Sequence, residues 1–236
     1  MKKKKSIQMS RMWEYFVEAT AQIIKEEGIE NVTIRKIADI AGYNSATIYN
    51  YFSEISHLVF FASLKFLKQY FEEVAKLYKD KNLQANEKYI RLWELFCHHS
   101  FQSPHVFHAI FIADLGSHPD DLLKHYYSVY PSEIIDFPDE LKPIILVQNI
   151  SKRGRGVLEL VAKEGYMKEE SIDYINELTL LVWQGMFTTF LNNRCAYSPE
   201  EATQRTMLYI REIVQNANHF SFTKEQSDTS SQLSAT

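Results

Sequence analysis

Apolar positions recur at helical spacing through much of the chain. Between residues 10 and 27, Phe16, Ala19, Thr20, Ile23 and Ile24 share one face, and Gly28 follows where a left-handed residue can end a helix. A shorter pattern comes next. Ile34, Ile37, Ala38 and Ala41 form an inner stripe behind Thr33, a good N-cap. Lys36 stands where a capping box needs Glu or Gln, so no such box forms. Gly42 can supply the backbone angles of a tight turn, and Asn44 or Ser45 can cap another helix with Ile48 and Phe52 inside. The spacing predicts three short helices that close a small core through Phe16, Ile23, Ile37, Tyr43, Ile48 and Phe52.

Longer helical patterns follow over about 56–80, 86–102, 104–114, 119–129, 141–165, 170–193 and 199–218. Pro104, Pro119, Pro131, Pro138, Pro143 and Pro199 fall at or near their edges, where helix starts and loops tolerate proline. Seven glycines and six prolines are too few for an architecture of many strands and turns, so the fold class predicted is all-α. Ser221 to Thr236 is rich in Ser and Thr and poor in apolar residues, and disorder is expected there.

The helix from Asn44 to Tyr51 has the shape of a DNA-reading element: an apolar inner face and an outer face of short or polar side chains. Ser45, Ala46, Thr47, Tyr49, Asn50 and Tyr51 can face outward. Asn50 can pair with an adenine edge, and Ala46 or the Thr47 methyl can pack on a thymine methyl. Tyr49 and Tyr51 suit phosphates, which position a protein without reporting sequence. Thr33 can present backbone N–H groups to a phosphate, and Arg35 adds charge one turn in. The plain alternative is a helical hairpin whose polar residues face water.

Residues 10–60 resemble the N-terminal domain of the tetracycline-repressor (TetR) family of transcription regulators. The residues that carry the resemblance are Phe16, Ala19, Ile23-Ile24 and Gly28, then Thr33-Ile34-Arg35-x-Ile37-Ala38. Ala41-Gly42-Tyr43 and Thr47-Ile48-Tyr49-x-Tyr51-Phe52 complete it. The resemblance implies a three-helix helix-turn-helix DNA-binding domain over 1–55 and a larger helical effector-binding and dimerisation bundle over 56–220. It further implies a homodimer joined through about 170–218 by a four-helix interface, and double-stranded DNA with a palindromic operator as partner. Such proteins commonly carry a phosphate-holding lysine just after the Phe. Here the segment is Ser53-Glu54-Ile55-Ser56, and the contact is missing. A flexible arm of Lys2, Lys3, Lys4 and Lys5 can compensate, or can merely solubilise.

Charge refines this picture. The net charge is −4, and residues 1–60 carry eight Lys/Arg against seven Asp/Glu, so DNA contact has to come from local donors rather than bulk attraction. Lys152-Arg153-Gly154-Arg155-Gly156 is a short basic run inside a predicted helix, best read as a solvated face. Its two glycines soften that helix. Cys97 and Cys195 lie in apolar surroundings at no metal or disulfide spacing, which fits a reducing cytoplasm. No apolar run follows the basic start, and none is long enough to span a membrane, so a cytoplasmic protein without membrane contact is expected. His98, His99, His105, His108, His118 and His125 crowd one region. His105 and His108 share a face, but no further ligand completes a metal set, and no metal or other cofactor is implied.

Aromatic residues fill the C-terminal two-thirds. Most must be core, yet Trp93, Phe96, Phe107, Phe111, Trp183 and Phe187 are candidates to edge a cavity for an apolar or aromatic small-molecule effector. His98, His105, Asp114, Gln184 and Thr188 are its polar candidates. The function expected is a ligand-responsive transcription regulator, a repressor released from DNA by an inducer. Two alternatives are an α-helical enzyme or carrier using the aromatic cavity, and an effector-free DNA-binding accessory protein of the same fold. No nucleophile–base pair or Gly-rich phosphate loop supports an enzyme.

Overall fold

The computed structural model describes residues 2–116, 119–133 and 135–219. These residues form helices and loops, with no strand among them. Expectations that fall on His118 and on 221–236 lie outside the described residues.

The head consists of α1 (Lys2–Glu27), α2 (Ile34–Ala41) and α3 (Ser45–Ile48). Two caps bracket the turn between α2 and α3. Thr33 Oγ1 accepts from the Lys36 backbone N–H at 3.3 Å, and Asn44 Oδ1 accepts from that of Thr47 at 2.9 Å. Between them Gly42 adopts φ 76° and ψ 30°, the left-handed region, and the Tyr43 N–H reaches back to the Ala38 carbonyl at 2.9 Å. Phe16, Ile23, Ile37, Ile48 and Phe52 are buried beneath. Tyr43 departs from the expected core. It is 40% exposed and meets Phe16 only edge-on at 5.7 Å, because the left-handed turn before it swings its ring to the rim.

The body continues with α4 (Ile55–Leu64), α5 (Lys68–Lys79), α6 (Ala85–Gln102), α7 (Pro104–Phe111) and α8 (Pro119–Val129). It ends with α9 (Lys142–Ile145), α10 (Ile150–Lys163), α11 (Ile172–Leu191) and α12 (Pro199–Gln215). Several boundaries differ from the sequence pattern. The first helix begins at Lys2, so the four lysines continue it rather than forming a flexible arm. The segment expected as one helix over 56–80 is broken by a tighter turn at Lys65–Leu67. The segment expected over 141–165 splits in two. Asn149 starts a new helix there, its side chain accepting from the Lys152 N–H at 2.9 Å. α7 stops at Phe111, three residues early.

α4 joins head to body, packing on α1 and on α7. The body core is aromatic: Trp183, Tyr89, Phe101 and Phe187 are almost fully buried. Two polar pairs cross it between α6 and α11, with Trp183 Nε1 donating to Ser100 Oγ at 3.1 Å and Tyr89 Oη lying 3.2 Å from Thr179 Oγ1. A second seam runs from head to α8. Trp13 packs against Phe52, Phe61, His125 and Tyr130, with ring centroids 4.6–5.9 Å apart. Beside it Lys65 bridges Glu18 at 2.8 Å and Glu133 at 2.9 Å, and lies over the Tyr130 ring at 4.4 Å. Burial would lower the Lys65 pKa, but the two carboxylates outweigh it and raise it above the ordinary 10.5.

Candidate nucleic-acid interface and effector cavity

The outer surface of the head is built on two inward anchors. Ile48 is fully buried and Phe52 nearly so, which fixes the rotation of α3 and turns Ala46, Tyr49 and Asn50 to solvent. Ser45 and Thr47 are half-buried at its edges. Thr47 donates its hydroxyl to Asn44 Oδ1 at 3.0 Å and keeps an acceptor lone pair. Asn44 is exposed, but its oxygen is committed to capping, so only its amide N–H groups remain for DNA. Asn50 is exposed, and its amide offers a base edge both a donor and an acceptor.

α3 is shorter than the sequence suggested. Its α-helical part ends at Ile48, and residues 49–51 continue as a turn in which the Asn50 N–H reaches the Thr47 carbonyl at 3.2 Å. One consequence falls on Tyr51. Expected on the outer face, it is half-buried with its ring 5.7 Å from that of Phe16, so it braces the head core. Tyr49, 59% exposed, is the tyrosine that stands out.

Thr33 and Arg35 are exposed at the start of α2. Lys36 is less available because Glu27 holds it at 2.5 Å. After Phe52 the missing lysine position is filled differently. Glu54 is exposed and accepts from Ser56 Oγ at 3.0 Å. His57 Nε2 lies 3.2 Å from the Leu115 carbonyl and Nδ1 lies 3.5 Å from Ser53 Oγ. An Nε2–H tautomer satisfies both contacts and ties the base of the head to the α7–α8 connection.

In the body, a cavity of about 60 Å³ opens among α5, α6, α7, α9, α10 and α11. Of the six aromatics expected at a cavity, Trp93, Phe96 and Phe111 line it. Phe107, Trp183 and Phe187 do not. They stack on Phe96 or on one another within 4.9–5.5 Å and fill the core behind it. None of the expected polar candidates lines it either. His98 opens instead on a separate surface groove between α5, α6 and α12. The polar wall comes from Tyr70, Tyr89, Asn176 and Arg153. Arg153 therefore corrects the reading of the basic run as a solvated face: it is half-buried, donates Nε–H to the Val147 carbonyl, and sits 5.5 Å from the centre of the Phe111 ring. The signal was present in the sequence, since Arg153 falls four residues before the inward-facing Val157. Among the described residues no three His, Cys, Asp or Glu side chains converge as a metal site. No described helix is long and apolar enough to cross a membrane.

Comparison with known proteins matches the geometry of the head. Residues 16–60 match the family model described as bacterial regulatory proteins, tetR family. Among curated proteins no sequence matches the chain. Solved structures are similar over most of the chain. A protein of Syntrophomonas wolfei assigned to the TetR-family transcriptional regulators aligns with a TM-score of 0.55 at 16% identity, covering 87% of this chain and 95% of its own. RolR in complex with resorcinol aligns at 0.55 and 15% identity, covering 90% and 93%. Thermus thermophilus FadR, a TetR-family transcriptional repressor in complex with lauroyl-CoA, aligns at 0.56 and 14% identity, covering 87% and 94%. At these identities the likeness is one of fold: a helix-turn-helix head on a helical body.

Proposed function

We propose that this chain, which carries a tetR-family regulatory domain over residues 16–60, is a ligand-responsive repressor. In this reading the head, residues 1–55, binds DNA. The body, residues 56–220, holds an effector and dimerises, and two heads read a palindromic operator. The single observation that carries the DNA-binding part is the exposure of Ala46, Tyr49 and Asn50 over a buried Ile48 and Phe52. A slim polar face on a fixed anchor can enter a major groove, whose edges match an Asn amide. Thr33, Arg35, Ser45, Thr47 and the amide of Asn44 frame it. Tyr51 acts from behind, by holding Phe16.

Dimerisation is supported by apolar side chains turned to solvent on the last two helices. Leu181 on α11 and Leu208 and Tyr209 on α12 are each about half exposed or more. Burying such residues against a twin is favourable by roughly 1.5–3 kcal/mol each when complete. The effector part rests on the lined cavity and on its route to the head. Phe111 of α7 forms one cavity wall, α7 packs on α4, and the connection after α7 touches His57. A ligand that binds better to one arrangement of α7 and α4 shifts the population of head positions, and only by that difference in affinity.

The test is selection of bound duplexes from random oligonucleotides with the full chain at fixed salt. A two-fold symmetric consensus is expected. Retention of DNA without any enriched sequence contradicts operator recognition, and an enriched but unsymmetrical site contradicts the dimer.

A further inference from the structure

The chain between α7 and α10 leaves the body and returns to it. It departs from the cavity wall at Phe111 of α7 and rejoins the same wall at Ile144 and Ile145 of α9. The two ends are pinned together there, with Gln148 Nε2 donating to the Ile110 carbonyl at 2.7 Å. Between them the chain carries α8, and α8 lies on the head. His125 meets the Trp13 ring at 5.0 Å and the Phe61 ring at 6.2 Å, and Tyr126 stacks on Phe61 at 6.4 Å. Past α8, Tyr130 meets Trp13 at 5.9 Å and donates its hydroxyl to Glu18 at 3.3 Å. Glu133 accepts from Tyr126 Oη and from Lys65 Nζ. Trp13 and Glu18 belong to α1, and Phe61 to α4, which packs on α1. Turning α1 and α4 together against the body therefore separates Trp13 and Phe61 from α8.

The cavity end of this chain has no slack. A Cβ on Gly156 of α10 would come within 3.1 Å of Ile144 Cγ1, closer than side chains ordinarily pack. We infer that Pro119–Glu133 is a clamp that couples the cavity to the head: a ligand that displaces Phe111 or Ile144 loosens α8 on Trp13 and frees the head to turn. This route is additional to the packing of α7 on α4, because it acts on α1 through Trp13 and Glu18. Its ring contacts and the Lys65 bridge are individually modest, so the clamp opens without unfolding the head core of Phe16, Ile37 and Ile48. A ligand opens it only by binding the closed and loosened arrangements unequally. Two heads fit half-sites of fixed spacing only while each is held at one angle to its body, so the loosened arrangement is the one that binds operator more weakly.

This inference rests on the body being an effector domain, and the test separates the two. Gly156→Val stands in for a ligand, because its methyl groups press on Ile144, and Gly156→Ala presses less. His125→Ala combined with Tyr130→Ala cuts the clamp from its own side and leaves Trp13, Phe16 and Phe52 of the head in place. Amide hydrogen exchange of the full-length protein is followed by mass spectrometry for the native chain, each change and the combination, with circular dichroism as the control for folding. Gly156→Val should speed exchange roughly tenfold in α8 and in residues 9–20 of α1, with Gly156→Ala in between. Where Gly156→Val does not fold, Gly156→Ala is read in the same way. In the cut protein the same change should reach α8 but leave α1 as it was. No acceleration in α1, or an equal acceleration with and without the cut, overturns the clamp. Affinity for a selected duplex is measured in parallel. Exchange coupled through the clamp without any change in DNA affinity leaves the clamp standing and removes the responsive-regulator reading. A loss of DNA affinity on Gly156→Val that persists undiminished in the cut protein does the reverse.

Discussion

Gly42 shows how a single residue sets the angle between α2 and the exposed face of α3. Its φ of 76° is available to glycine at little cost, whereas a side chain there is strained by about 1–2 kcal/mol. A Cβ at this position meets nothing within 4 Å, so the penalty is purely conformational. Gly42→Ala should therefore lower unfolding stability by about 1–2 kcal/mol, and Gly42→Asn by less, since Asn tolerates the left-handed region. Urea unfolding measures both, and equal stability of all three proteins would show the turn to be relaxed without glycine. The role of Gly42 was legible in the sequence, as was the Thr33 cap, because turn chemistry is local; the second cap was narrowed only to Asn44 or Ser45, and the structure gives Asn44. Tyr51 was not. Its side depends on where α3 tightens after Ile48, a matter decided by packing on Phe16 rather than by residue spacing. Arg153 was missed for a related reason: charge argues for solvent, and only the inward register of Val157 argues against it.

Among the elements, the junction of head and body depends on side chains from three helices and the turn that interrupts 56–80. Lys65 lies in that turn and satisfies Glu18 of α1 and Glu133 beyond α8 at once. Its side chain is 20% exposed, so removing it strands two partly screened carboxylates. Lys65→Met should destabilise the protein by about 1–2 kcal/mol after allowance for solvent screening. The sign with pH follows from the raised pKa. The stabilisation from Lys65 is fully present below the unfolded value of 10.5 and fades as pH rises through the higher folded value. The difference between native protein and Lys65→Met should thus stay constant from pH 6 to 9 and shrink only beyond, as chemical denaturation at each pH reports. A difference that vanishes by pH 8 would mean that the bridge is not what Lys65 contributes. The breaks at 65–67 and 146–149 were missed by periodicity because apolar residues resume on both sides of them. Tertiary contacts accompany both breaks: the Lys65 bridge at the first, and at the second Gln148 Nε2 donating to the Ile110 carbonyl at 2.7 Å, beside the local Asn149 cap.

At the scale of the whole molecule, head, cavity and outer apolar face lie along one connected path. The exposed face proposed to read DNA sits on α3, α4 links it to α7, and α7 walls the cavity beneath α10 and α11, whose neighbour α12 carries Leu208 and Tyr209 outward. The all-α class and the position of the head could be read from the sequence, since both rest on repeated local patterns. Which aromatics line the cavity could not, because core and cavity draw on the same residue types. The account depends most on the outer face of α3 touching bases. The direct test compares the native protein with Asn50→Ala on a selected operator and on a scrambled duplex at one salt concentration, with helicity and oligomeric mass as controls. Loss of an Asn–adenine pair is worth about 1–3 kcal/mol, so the preference for operator should fall roughly 5- to 150-fold while binding to the scrambled duplex is unchanged. Full operator preference in a folded Asn50→Ala protein would contradict the assignment of α3 as the element that reads DNA.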